Sequence, residues 1–223
     1  MKFFLAVFFI FYQSFFSHFA QADTVKDSRL WLTYTAEHPL GEHWKITMQL
    51  QPYWREDGHD FDQITYRLGI NFRVNPKWMI GGGYAYAEGY QPNHQRTHED
   101  RLWEDVNYQS DEIKLVNVSL RMRFEHRRFE HQGEVLHSLR QMIKVTTPLT
   151  STLGVVISDE FYVNLNETEN VQRGADQNRL FVGMSYRVMP TSTMEFGYMN
   201  QYVTRTGDDT ENDILAISLS QTF

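Results

Sequence analysis

The amino-acid sequence predicts an all-β protein: an antiparallel up-and-down transmembrane β-barrel of 10–12 strands that follows an N-terminal signal peptide. Three observations carry this prediction. Apolar and polar residues alternate with period two along most of the chain, the alternating runs are long, and the last residue is an aromatic one, Phe223. This period is typical of strands, and helical spacing is sustained almost nowhere.

The first 22 residues have the anatomy of a secretory signal peptide. Lys2 gives a positive start, residues 3–12 form an apolar run, and Ala20-Gln21-Ala22 supplies a small-x-small cleavage pattern. The apolar run is too short for a membrane-spanning helix, which needs about 20 residues. We therefore expect cleavage after Ala22 and a single β-barrel domain over residues 23–223.

Composition narrows the classes of function. Without Lys2 the chain has 20 basic and 28 acidic residues, a net charge of −8, which predicts that it has no nucleic-acid partner. It contains no cysteine, and so neither a disulfide framework nor a thiol nucleophile. A mean hydropathy of −0.51 suggests a soluble protein. Barrel strands escape this average because every second residue faces the lumen and can be polar.

The candidate strands follow one another with turn-rich connections between them. The second alternates apolar and polar residues over 44–54, the third over 63–73, the fourth over 78–87 and the sixth over 116–125. Runs of this kind match the 9–11 residues or so that a tilted strand needs to cross a bilayer, whereas strands of globular proteins are most often about 5–6 residues long. Eleven candidate strands begin near Arg29, His43, Asp62, Lys77, Arg101, Val116, Glu134, Leu153, Asn178, Thr193 and Asp213.

The number of strands is open at this point. Single-chain bacterial barrels have even numbers of strands, so the expected number is 10 or 12, with 12 favoured. The weakest candidate is Arg101 to Tyr108, because Glu104-Asp105 interrupts its apolar face.

Connection length predicts the orientation of the barrel. Short turns at 74–77, 148–151 and 189–192 alternate with longer polar stretches at 55–62, 88–100, 165–176 and 205–213. Bacterial barrels have short periplasmic turns and longer external loops, so the acidic stretches are assigned to the exterior. Trp44, Trp54 and Trp78 lie at strand ends, where aromatic girdles meet the membrane interface.

The last strand has a pattern with a further implication. Leu215, Ile217, Leu219 and Phe223 share one face, and only Gln221 departs from the apolar alternation. This pattern resembles the C-terminal signal of outer-membrane barrels. The resemblance implies that Phe223 is an assembly signal, and that the barrel-assembly machinery binds this strand.

Four segments also resemble a bacterial domain-of-unknown-function family of small predicted outer-membrane β-barrel proteins. The resemblance implies a barrel surrounded by outer-membrane lipid in a Gram-negative bacterium, and it supplies no reaction, ligand or catalytic residue. The segments that carry it are Arg121-Met122-Arg123-Phe124-Glu125, residues 160–166, residues 176–183 and residues 197–202.

If the apolar faces meet lipid, the opposite faces line the lumen and make it rich in arginine. Acidic residues assigned to the lumen are Glu125, Glu160 and Glu195, and most other acids, Glu99-Asp100 among them, fall in predicted loops. The predicted inward cations are Lys45, Arg67, Arg73, Arg121, Arg123, Arg127, Arg140, Lys144, Arg179 and Arg187.

Two interpretations of this lumen compete. In one, arginines and glutamates pair across strands and plug the barrel, because an unpaired charge in a low-dielectric interior is costly. In the other, the surplus of cations lines a narrow pore that prefers anions and passes a small anionic solute. The plug is favoured, since side chains fill small barrels as a rule.

Other classes of function are weaker alternatives. A periplasmic lipocalin-like barrel has the same alternation but places its apolar face inside. An outer-membrane hydrolase is less favoured still: His137 and Ser138 are adjacent and would point to opposite faces of a strand. Glu160, Asn178 and Arg179 could form an acid–base site, although an ion pair that fixes register is favoured. Residues His94, His98, His126 and His131 lack metal-ligand spacing, so neither enzymatic activity nor a cofactor or metal is expected.

Overall fold

The computed structural model describes residues 24–91, 95–113, 116–130, 133–169, 171–205 and 207–223, which form a closed barrel. The predicted signal peptide lies outside these residues. Among the described residues no helix is long and apolar enough to cross a membrane. The described strands are β1 (Thr24–Leu40), β2 (Trp44–Arg55), β3 (Asp60–Arg73), β4 (Trp78–Tyr90), β5 (Arg96–Ile113), β6 (Val116–Phe129), β7 (Val135–Pro148), β8 (Leu153–Asn164), β9 (Gly174–Met189), β10 (Ser192–Val203) and β11 (Asp209–Thr222).

Each strand pairs antiparallel with the next, which confirms the predicted all-β up-and-down barrel. The seam is different, because β1 and β11 pair in parallel from Thr24↔Asp209 to Glu37↔Thr222. An up-and-down chain of eleven strands has its first and last strands running in the same direction, so the barrel can close only through a parallel pair. The start of β1 and Phe223 consequently lie at opposite ends of the barrel.

The described residues form eleven strands, within the predicted range but neither the even number expected nor the 12 favoured. The doubt about β5 was misplaced, since β5 is the longest described strand, with 18 residues. The acidic pair that weakened it divides between the two faces of the sheet. Asp105 is buried in the lumen, where the Arg123 guanidinium contacts it at 2.6 Å, and only Glu104 is exposed on the outside.

The two ends of the barrel differ in the length of their connections. Of the described residues, the turn end carries 41–43, 74–77, 149–152 and 190–191, and the loop end carries 56–59, 165–169, 171–173, 204–205 and 207–208. The strands extend further than predicted, so that several loops are shorter than expected. Glu99, assigned to a loop by the sequence, lies within β5 and is buried.

The outer face of the barrel is mostly apolar. Its exposed side chains include Met48 on β2, Leu68 on β3, Leu102 on β5 and Leu215 on β11. Monomeric soluble proteins rarely expose a continuous apolar surface of this extent. A surface of this kind is suited to contact with a medium less polar than water.

Aromatic side chains cluster near both ends of the outer face. At the turn end the Trp44 and Phe72 ring centroids lie 4.8 Å apart, and at the loop end those of Trp54 and Phe61 lie 5.3 Å apart. The ring centroids of Trp78 and Tyr108, also at the turn end, lie 4.8 Å apart. The three tryptophans are therefore at strand ends, as the sequence predicts.

Candidate functional site in the barrel lumen

Charged side chains that bind one another lie in the middle of the lumen. We define the mid-lumen network as Arg67, Asp105, Arg121, Arg123, Glu125, Arg140 and Glu160. Glu125 lies at its centre with 1% of its surface exposed. Arg140 Nη1 donates to Glu125 Oε1 at 2.8 Å, and Arg67 Nη2 lies 3.7 Å from the same oxygen. One carboxylate thus pairs with two guanidinium groups from different sides of the barrel.

Glu160, on β8, is the second carboxylate of the network. Its Oε1 accepts hydrogen bonds from Arg121 Nη2 at 2.6 Å and from Arg140 Nη2 at 2.9 Å, and its Oε2 accepts one from the Tyr162 hydroxyl at 3.0 Å. Arg140 therefore bridges Glu125 and Glu160. Because most of these groups are buried, their interactions are screened less than those of surface ion pairs.

A tryptophan fills the space beside the network. Trp103 is buried in the lumen, and Arg123 Cζ lies 4.3 Å from its ring centroid. The neighbouring strands β4 and β3 accommodate the ring because they have glycines beside it: a Cβ atom built on Gly69 would lie 2.3 Å from Trp103 Cζ2, and one on Gly83 would lie 2.8 Å from it. The large ring therefore packs closely against the two glycines.

Sequence reasoning missed two carboxylates of the lumen, Glu99 and Asp105, both on β5. Glu99 accepts two hydrogen bonds from Arg101, both at 2.7 Å, and two from Arg127, at 2.6 and 3.3 Å. Its alternation with Arg101, Trp103 and Asp105 was the available signal. Because β5 is longer than predicted, Glu99 and Asp105 lie inside the barrel. The excess of cations over carboxylates in the lumen is therefore smaller than the sequence suggests.

The turn end of the lumen has more exposed pairs. Lys144 Nζ contacts Glu195 Oε1 at 2.5 Å, and Lys45 Nζ contacts Glu37 Oε1 at 2.7 Å, with every side chain between 23% and 29% exposed. The predicted lumen residues Arg73 and Arg187 lie here too, and both are exposed. They lie outside the mid-lumen network because β3 and β9 reach the rim of the barrel at these residues.

A cavity of about 420 Å³ occupies the lumen on the loop-end side of the network. We call it the loop-end cavity. Its lining includes three carboxylate residues, Asp62, Glu125 and Asp176. Seven arginines line it: Arg29, Arg67, Arg101, Arg127, Arg140, Arg179 and Arg205. A separate cavity of about 230 Å³ lies at the turn end, lined in part by Arg187 and Glu195.

The structure separates the polar group that the sequence placed together. Glu160 and Arg179 are register partners on β8 and β9, but Asn178 donates to Asp159 Oδ1 at 2.8 Å on the outer face. Among the predicted histidines, His98 lies 2.6 Å from the Tyr86 hydroxyl through Nδ1. His94 and His131 lie outside the described residues.

The fold and the lumen together define a class: closed β-barrels with a mostly apolar outside and an interior that contains buried ion pairs. The chain belongs to the family described as a protein of unknown function (DUF2490), whose model matches residues 28–212. An uncharacterized protein of Methylorubrum extorquens is 31% identical over 205 residues, which cover 90% of each chain.

A solved structure shares the barrel fold. The NanC porin, solved in a rhombohedral crystal form, superposes with a TM-score of 0.50 at 12% sequence identity. The match covers 83% of this chain and 93% of the porin. At this identity the likeness concerns the fold alone.

Proposed function

We propose that the protein is an outer-membrane β-barrel whose lumen is closed at mid-height by its mid-lumen network. It is exported through a cleaved signal peptide, has no enzymatic activity, and keeps a cationic cavity open on the loop-end side. The observation that carries the proposal is the pairing of buried Arg140 with both Glu125 and Glu160, together with the contact of Arg123 with the buried Trp103 ring.

The outer surface supports the membrane location. Outward residues such as Leu68, Ile157 and Val182 are apolar and exposed, and aromatic rings cluster near both strand ends. This is the arrangement of transmembrane barrels, with an apolar band between aromatic girdles. A periplasmic lipocalin-like barrel would need the reverse arrangement, with the apolar face inside. The porin fold of the structural neighbour agrees with the membrane location.

Fractionation tests the location. The mature protein should float with outer membranes in a density gradient and migrate faster on unboiled gels, because a closed barrel resists unfolding by detergent. Recovery in the soluble periplasmic fraction would contradict the proposal. A solute-flux assay tests the closure: proteoliposomes that contain a chloride-sensitive dye should retain their fluorescence when chloride is added outside.

A narrow pore that prefers anions is the second candidate. It is supported by the seven arginines of the loop-end cavity, against three lining carboxylates, and by the further cavity at the turn end. Rings of arginine and lysine select anions in pores. Rapid quenching of the enclosed dye by chloride, and none by a large polyanion, would favour this pore over the closed lumen.

The end of the chain supports a proposal about assembly. The Phe223 amide donates to the Glu37 carbonyl oxygen at 2.9 Å, so the last residue is bonded to β1 across the seam. We expect the barrel-assembly machinery to bind the β11 strand before this seam closes, since an open strand edge is a template for pairing.

A further inference from the structure

Arg179 differs from the other arginines of the loop-end cavity whose side chains are buried or half-buried. Its Nε donates to Gln177 Oε1 at 3.1 Å. Within the described residues, its two Nη groups have no hydrogen-bond partner, and no carboxylate oxygen lies within 4.0 Å of its guanidinium nitrogens. By contrast, Arg101 and Arg127 each bind Glu99 through two nitrogens. Arg179 therefore presents a charged fork whose Nη donors have no partner in the part of the chain that the structure describes.

The Arg179 guanidinium is held in place by aromatic rings. Its Cζ lies 4.7 Å from the Trp31 ring centroid and 4.7 Å from that of Tyr162. Trp31 stacks in turn on Tyr53, with ring centroids 4.3 Å apart. Arginine side chains stack well on aromatic faces, and a group fixed in this way loses little entropy when it binds a ligand.

A chain of amides fixes the edge of the guanidinium. Gln177 Oε1, which accepts from Arg179, also accepts from Gln201 Nε2 at 2.6 Å. Gln201 Oε1 accepts from Asn212 Nδ2 at 2.9 Å. The Gln177 oxygen is thus held by Arg179 and Gln201, and Gln201 is held in turn by Asn212, so the Nε side of the guanidinium has a fixed partner.

We propose that Arg179 is the centre of a binding site for a small carboxylate or phosphate in the loop-end cavity. A guanidinium fork binds either oxyanion through two parallel hydrogen bonds. The nearby Glu160 carboxylate does not compete for this role, because Arg121 and Arg140 already bind it. The inference rests on one part of the proposed function: the cavity must be open at the loop end so that the anion can enter it.

Ligand-detected NMR on the refolded protein in neutral detergent tests the site. The probes are sodium acetate, followed by its proton linewidth, and sodium phosphate, followed by its ³¹P linewidth. Chloride, added as the sodium salt and followed by its ³⁵Cl linewidth, is the control anion, because it offers one acceptor atom instead of the two oxygens that form parallel hydrogen bonds with the fork. Acetate broadening alone would identify a carboxylate site, phosphate broadening alone a phosphate site, and either result supports the proposal.

Variants show whether the anion binds to the Arg179 fork itself or is only attracted by the positive charge of the cavity. Arg179→Ala should weaken binding of the broadened oxyanion by about tenfold or more, and Arg179→Lys should also weaken it, because lysine keeps the charge but loses the fork. Arg205→Ala is the matched control: it removes an exposed arginine from the same cavity and should change affinity by less than about twofold. If Arg179→Ala does not fold, Gln177→Leu, which removes the anchor, should weaken binding severalfold.

Oxyanion binding that Arg179→Lys leaves unchanged, or that chloride displaces as well as acetate does, would overturn the proposal. The gel mobility of unboiled samples shows separately whether each variant folds. Binding in detergent depends on neither membrane location nor ion flux. Loss of the site and failure of the proposed function are therefore distinguishable.

Discussion

Replacing Glu125 with glutamine should destabilise the barrel by about 3 kcal/mol. Its carboxylate lies 2.8 Å from an Arg140 nitrogen and 3.7 Å from an Arg67 nitrogen. At an effective dielectric constant near 20, pairs at these distances attract by about 4 to 6 kcal/mol each. Glutamine carries no charge, so the variant no longer has the desolvation cost of a buried carboxylate, which is several kcal/mol. This saving offsets part of the lost attraction.

The net loss of stability depends on the partners that Arg140 and Arg67 keep in the variant. Arg140 keeps its bonds to Glu160, whereas Arg67 loses the one ion pair that it has in the described chain and keeps only Gln49, at 2.8 Å. Removing one partner of a buried pair costs about 3–5 kcal/mol, and the partial compensation places Glu125→Gln at the lower end. The loss comes mainly from charge, because a glutamine oxygen can still accept from Arg140.

The matched control is Glu195→Gln, the same substitution in the same lumen. Its partner Lys144 is 28% exposed and Glu195 itself 24% exposed, so the loss should stay below about 1 kcal/mol. Urea unfolding of the refolded barrel in lipid vesicles, followed by tryptophan fluorescence, measures both. Equal and small losses for the two variants would refute the view that the mid-lumen network stabilises the fold.

Two further predictions concern assembly and orientation. Deletion of Phe223 should lower the yield of folded barrel far more than deletion of exposed Asp208, because Phe223 is bonded across the seam; equal yields on unboiled gels would remove its role. The chain lacks cysteine, so a membrane-impermeant maleimide applied to intact cells should label Glu169→Cys at the loop end, and Ser151→Cys at the turn end only after lysis. Val25→Cys should be labelled from outside as well, because parallel closure places the start of β1 at the loop end; labelling only after lysis would contradict that placement.

Period-two alternation was enough to predict the barrel and the inward side of most strands. Arg67, Arg123, Arg140, Glu125 and Glu160 all lie buried in the lumen, where alternation places them. A one-residue register slip would move a whole strand face to the other side, so alternation specifies facing strongly.

Pairing and closure could not be predicted in the same way. The 3.7 Å contact between Arg67 on β3 and Glu125 on β6 crosses the lumen, and no sequence spacing encodes a distance across a closed barrel. The first and last strands pair in parallel only when the number of strands is odd. An error of one strand in the predicted number therefore changes the predicted closure. Arg179 was predicted to face inward, but its free fork follows only from the three-dimensional positions of Gln177, Trp31 and Tyr162.

Single-channel recording in planar bilayers tests the closed lumen most directly. The unmodified protein should give no resolvable conductance. Trp103→Ala should conduct, because removing the ring opens a path along the wall of Gly69 and Gly83, whereas Trp54→Ala, which removes the same residue type from the outer face, should stay closed. Stepwise, anion-preferring currents from the unmodified protein would contradict the account and identify an open pore.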